Sequence, residues 1–94
     1  MTTMTPTLTI HPNLFHIRTT ITFELPEKQY AAVTVHDLNG QLITVLLADD
    51  YLKGTYILDW DGRDSAGFEV PAGSYLICLQ TTARRETQRV VFAR

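Results

Sequence analysis

The stretch Asp59-Trp60-Asp61-Gly62-Arg63-Asp64-Ser65-Ala66-Gly67 gathers three carboxylates, a guanidinium and a hydroxyl around a single tryptophan. Such a set is suited to a divalent cation, to acid–base chemistry or to a hydrogen-bonded turn. An EF-hand-like calcium loop needs oxygen ligands at positions 1, 3 and 5, glycine at 6 and an acid at 12. Counting from Asp59, Asp61 falls at position 3, but Arg63 stands at 5, Asp64 at 6 and Val70 at 12. Asp59, Asp61 and Asp64 remain a secondary calcium set that would need another turn geometry. The primary expectation is a turn, because aspartates beside glycine and serine accept backbone N–H bonds and fix the chain locally.

Other chemistry finds less to work with. His11, His16 and His36 sit on separate segments with no CxxC or HxxxH partner, whereas a zinc site needs three or four convergent ligands. Ser65 and Ser74 are the only serines, and neither lies in a G-x-S-x-G elbow. No glycine-rich run precedes a helix to cradle phosphate. Cys78 has no second cysteine for a disulfide, and "SYLICLQ" places no cation or histidine beside it, so it reads as a small buried hydrophobe. The expectation is a protein that is not an enzyme and takes no cofactor.

Charge narrows the partners. Six Asp and four Glu against six Arg and two Lys give a net charge of −2, not the basic surface that neutralises phosphates, so nucleic acid is not expected. No run approaches the 18 apolar residues of a membrane span, and residues 1–17 carry no Lys or Arg to form a signal-peptide n-region. Residues 49–69 hold six acids, and residues 84–94 hold four arginines. Two solvated faces of opposite sign are expected, with head-to-tail steering between copies as the sharper alternative.

The elements that must carry these residues are strands. Apolar residues recur with period 2 and never with a sustained helical repeat. Leu8 and Ile10 share a face, as do Ile21, Phe23 and Leu25 before Pro26 ends their ladder. Val33 and Val35 precede Asn39-Gly40, a hairpin signal. A three-residue loop there would turn Ile43, Val45 and Leu47 inward and Thr44 outward. "ADDYLKG" has the composition of a loop between sheets. Beyond it Tyr56, Leu58 and Trp60 share a face, then Tyr75, Ile77 and Leu79, and finally Val90 and Phe92 after a turn at Ala83 to Arg85. Seven short strands at spacings of roughly 8 to 12 residues predict an all-β, seven-stranded Ig-like antiparallel sandwich. The 94 residues suffice for one such domain, with residues 1–6 a flexible or pairing tip.

Residues 1–17 contain no charged side chain, although charges commonly guard an exposed strand edge. Thr7, Leu8, Thr9 and Ile10 are expected to form the first strand of their own domain. The alternative is strand addition, in which this segment joins the edge of another copy or a receptor.

The order Pro12-Asn13, then Asp37-Leu38-Asn39-Gly40, then Gly54-Thr55-Tyr56, Trp60-Asp61-Gly62-Arg63-Asp64, Gly67 and Gly73-Ser74-Tyr75 resembles the FlgD-like Ig domain. The resemblance covers about residues 11–94. It implies a bacterial, extracellular β-sandwich without catalysis, found in flagellar hook-capping proteins and as the C-terminal sorting module of type IX secretion cargo. It also implies a secreted or cell-surface location and a protein partner, either the secretion machinery or further copies in a homo-oligomer. Carried over by position, Pro12, Asn13, Asp37, Gly40, Gly54, Trp60, Asp61, Gly62, Asp64, Gly67, Gly73 and Tyr75 are structural markers of the fold. The sequence departs from the sorting pattern at Leu14, where a second proline is usual, and at Gln88-Arg89, where a lysine is usual. Only about ten residues precede the matching region. A free-standing copy would therefore be a self-assembling structural subunit of a filament or surface layer, built by N-terminal strand addition; the first expectation remains a sorting or anchoring module that acts by protein–protein contact.

Overall fold

A computed structural model describes residues 8–94. Eight strands follow one another: β1 (Leu8–His11), β2 (Leu14–Phe15), β3 (Thr19–Leu25), β4 (Gln29–Asp37), β5 (Leu42–Tyr51), β6 (Gly54–Trp60), β7 (Gly73–Thr81) and β8 (Arg85–Phe92). They form a three-stranded sheet, β1-β3-β6, and a five-stranded sheet, β2-β8-β7-β4-β5. Alternation does the building: Leu8, Ile10, Ile21, Phe23 and Leu25 point from the smaller sheet toward Ala31, Val33, Val35, Tyr75, Ile77, Leu79, Val90 and Phe92 of the larger.

The eighth strand comes from Pro12. With no N–H to give, a proline interrupts a ladder, and the chain leaves β1, crosses between the sheets and resumes as β2. There Leu14 and Phe15 lie parallel to Val91 and Phe92. β1 lies where the first strand is expected, β2 is a strand beyond the seven, and the sandwich is antiparallel except at this pair. Thr19, fully buried, donates from Oγ1 to the Pro12 carbonyl at 2.6 Å, which supplies the bond that a buried hydroxyl requires.

The hairpin from β4 to β5 departs further from expectation. Gly40 takes a left-handed φ of 85°, and Asp37 caps the turn by accepting from the Asn39 and Gln41 amides, each at 2.9 Å. Beyond the turn the register slips twice: Leu42 pairs with His36, Thr44 with Val35, Val45 with Thr34 and Leu47 with Val33. Ile43 and Leu46 are thus extra residues of two β-bulges. Thr44 turns inward and is buried, and Val45 turns outward and is exposed, the reverse of the regular register. The bulges let Ile43, Leu46 and Leu47 all pack on the core while Val45 is turned out to solvent. "ADDYLKG" is also not a loop: Ala48 to Tyr51 continue β5 opposite Gln29 to Ala32, and only Leu52 and Lys53 connect to β6.

An aromatic cluster closes one end of the core. Phe15 lies 5.5 Å from Trp60 and 5.1 Å from Phe92, and Trp60 meets Tyr75 edge-on at 5.4 Å. Such pairs add about 0.5–1.5 kcal/mol each beyond their burial. Because β2, β6, β7 and β8 each contribute a ring, this cluster fastens the two sheets where the chain between Trp60 and Gly73 emerges.

Candidate functional site

Trp60 ends β6 inside the core, and its indole Nε1 donates to the Arg63 carbonyl at 3.0 Å. That bond folds the following residues back over the ring. Gly62 then passes directly over Phe92 with φ of 76°; a Cβ built there would stand 2.9 Å from Phe92 Cζ. A side chain has neither the space nor the backbone conformation at this point.

Asp64 organises the rest of the turn. Its Oδ1 accepts from the amides of Ala66 and Phe68, both at 3.0 Å, its own amide donates to the Phe68 carbonyl at 2.9 Å, and its carbonyl accepts from Gly67 at 3.0 Å. Val70 donates to the Gly62 carbonyl at 2.9 Å, and Arg63 Nη1 donates to the Gly67 carbonyl at 3.0 Å. Ser65 donates its amide to the Ile43 carbonyl at 3.3 Å, which rests the turn on β5. The carboxylate of Asp64 thus serves as a turn acceptor, as its neighbours in sequence suggest.

The other two aspartates point elsewhere. Asp59 accepts from Thr20 Oγ1 at 3.1 Å and faces Arg18 at 3.8 Å, while Asp61 faces Arg63 at 3.7 Å. Among the described residues no three acidic, histidine or cysteine side chains converge as a metal site would require. Ile17, Arg18, Asp59 and Asp61 instead border an open cleft of about 350 Å³. A second cleft of about 410 Å³ lies at the opposite end of the small sheet, where Glu24, Pro26, Lys53 and Arg84 surround the Gly54 backbone. Neither brings a nucleophile to a base.

The remaining candidates are dispersed. His11 stands exposed on β1, His16 donates from Nδ1 to the Ala93 carbonyl at 3.0 Å, and His36 Nε2 meets Thr34 Oγ1 at 2.9 Å. Ser74 accepts from Arg89 Nη2 at 2.9 Å. Cys78 is buried, with Arg85 Nε 3.3 Å from its sulfur, a neighbour that the residues beside it in sequence do not reveal. Leu8, Thr9 and Ile10 lie in β1 against β3, with the Leu8 carbonyl held by the Gln88 side-chain amide; Thr7 lies outside the described residues. The acidic stretch and arginine-rich tail meet within the chain, since Arg94 Nη2 is 3.2 Å from Glu69 Oε1 and donates to the Val70 carbonyl at 3.1 Å.

The two Gly-x-Tyr segments prove to be one device used twice. Gly54 and Gly73 share φ of 154°, and the tyrosine two residues on donates its hydroxyl to the carbonyl four residues back: Tyr56 to Leu52 at 2.7 Å, Tyr75 to Pro71 at 2.5 Å. Each bond ties the start of a strand to the loop that delivers it, in the manner of a tyrosine corner. Burial pushes the Tyr75 phenol above its ordinary range; the Asp37 charge adds to the rise and Arg94 opposes it.

The fold is thus an Ig-like sandwich whose most marked sequence signature is a self-satisfied turn. More particularly, residues 14–84 match the FlgD Ig-like domain, and the chain belongs to that family. A search of curated proteins finds no match. Among solved structures, dimeric latent PorU from Porphyromonas gingivalis is similar with a TM-score of 0.73 at 15% identity, over 92% of this chain and 9% of that one. PorZ, a surface component of the type IX secretion system of the same organism, gives 0.65 at 18% identity, over 93% and 11%. FlgD from P. aeruginosa gives 0.61 at 25% identity, over 79% and 57%. The chain therefore spans from a tenth to little over half the length of these proteins.

Proposed function

We propose that this domain is a non-catalytic protein-contact module of a bacterial secreted or cell-surface protein, of the sorting or anchoring type. Membership of the FlgD Ig-like family over residues 14–84 carries the reading. The turn at residues 59–70 supports it, because its polar groups are spent on the fold: Asp64 on amides, Trp60 and Arg63 on carbonyls. What the domain offers a partner is surface and strand edge. The partner of the sorting reading is an outer-membrane secretion apparatus. Fusing the domain to the C-terminus of a reporter, in a bacterium that has type IX secretion, should carry the reporter to the surface or medium. Retention of a folded fusion in the periplasm overturns the sorting reading.

A further inference from the structure

We propose that β6 is a self-association edge, through which two copies of the chain join their small sheets into one six-stranded sheet. The four sheet edges differ sharply. β2 has two residues, and β1 has four with its Leu8 carbonyl already taken by Gln88. β5 is bulged twice, carries Asp49 and Asp50, and has its Ile43 carbonyl capped by Ser65. These are the usual guards of an edge. β6 has only one of them, the acid Asp59: its seven residues, Gly54-Thr55-Tyr56-Ile57-Leu58-Asp59-Trp60, run in unbroken register on β3, with no Lys, Arg or Pro, and no described strand pairs with its other side.

The strand is also complementary to itself. In an antiparallel pair centred on Ile57, each Ile57 faces its counterpart, Thr55 faces Asp59 and Tyr56 faces Leu58. Ile57 is 70% exposed in the single chain, so the pairing covers the most exposed apolar residue of this sheet. No like charges meet, because each Asp59 falls opposite a threonine. Thr20 on β3 already donates to Asp59, and Thr55 donates to Glu24, so across the join each Asp59 meets a threonine side chain and not a second carboxylate. A second copy, turned about a two-fold axis, therefore meets the requirements of an isologous interface and of cross-strand pairing.

This partner assignment rests on reading the domain as a contact module, and the test separates the two. A single-edge interface is small, so a weak dimer is expected, detectable by sedimentation of the 94-residue chain from micromolar to millimolar concentration. Ile57→Lys and Ile57→Glu, at an exposed position, should each leave the fold intact by circular dichroism and weaken the dimer about tenfold or more, since like charges then oppose one another at the two-fold. Mixing the two variants should restore a dimer containing one of each. A wild-type chain that stays monomeric throughout, variants that dimerise as well as wild type, or a mixture that stays monomeric overturns the proposal. A monomer that still binds another protein would leave the contact-module reading standing and this one not.

Discussion

Replacing Gly62 by alanine tests whether the turn is shaped by its contact with the core. Two costs act at once. An L-residue at φ of 76° lies in the left-handed region, which disfavours a side chain by about 1–2 kcal/mol. The added methyl also stands 2.9 Å from Cζ and 3.1 Å from Cε1 of Phe92. Phe92 is buried and packs at a tilt against Phe15, so it yields only by displacing the aromatic cluster, an overpacking cost of about 1–3 kcal/mol. The sum, about 2–5 kcal/mol, is a large part of the total of on the order of 5–14 kcal/mol expected at this length, and lowers Tm by roughly 10–30 °C. Gly40→Ala is the control: its φ is 85°, but nothing lies within 4 Å of the new methyl, so it incurs only the backbone cost. Urea unfolding of both variants and of Gly62→Ala/Phe92→Leu measures the difference. Equal losses at Gly62 and Gly40, or no relief from the smaller residue at 92, would refute the assignment of the cost to Phe92.

Three further outcomes follow from the same geometry. Asp64→Ala leaves the Ala66 and Phe68 amides without their acceptor and should cost about 1–2 kcal/mol in urea unfolding, with Asp64→Asn recovering part of it; an unchanged midpoint would remove Asp64 as organiser of the turn. Folding favours the neutral Tyr75 phenol, so its contribution is complete below the ordinary tyrosine value of 10.0 and is lost as pH rises through the higher folded value. The wild-type urea midpoint should therefore fall above pH 10 more steeply than that of Tyr75→Phe, and parallel curves would contradict this. Because Asp59, Asp61 and Asp64 are turned to separate partners, adding calcium or chelator should leave Tm unchanged; a calcium-dependent rise would show that the three can be brought together.

The strands were legible where period 2 is strict. Ile21-x-Phe23-x-Leu25 and Tyr75-x-Ile77-x-Leu79 lie as their alternation predicts. β5 was not, because its "LITVLLA" run offers apolar residues to both faces and tertiary packing resolves the conflict with bulges at Ile43 and Leu46. The turn role of Asp64 could be read from its glycine and serine neighbours, whereas the Gly62–Phe92 contact spans 30 positions and has no local signal. The same holds for Arg94 with Glu69. The repeated Gly-x-Tyr could have disclosed the hydroxyl ties of Tyr56 and Tyr75, since both segments show the same spacing from glycine to ring. Edge character is the least legible property: whether β6 is central or marginal depends on strand order, which alternation does not encode.

The parallel seam between β2 and β8 has a mechanical consequence. Val91 donates to the Asn13 carbonyl at 2.8 Å and Ala93 to the Phe15 carbonyl at 2.9 Å, joining the segment that follows Pro12 to the last strand. Because the two strands run the same way, tension between the start of β2 and the end of β8 slides them past each other and strains both bonds together, where an antiparallel pair pulled from adjacent ends would peel bond by bond. The short strand that follows Pro12 thus acts as a clasp on β8, loaded in shear along the strand direction.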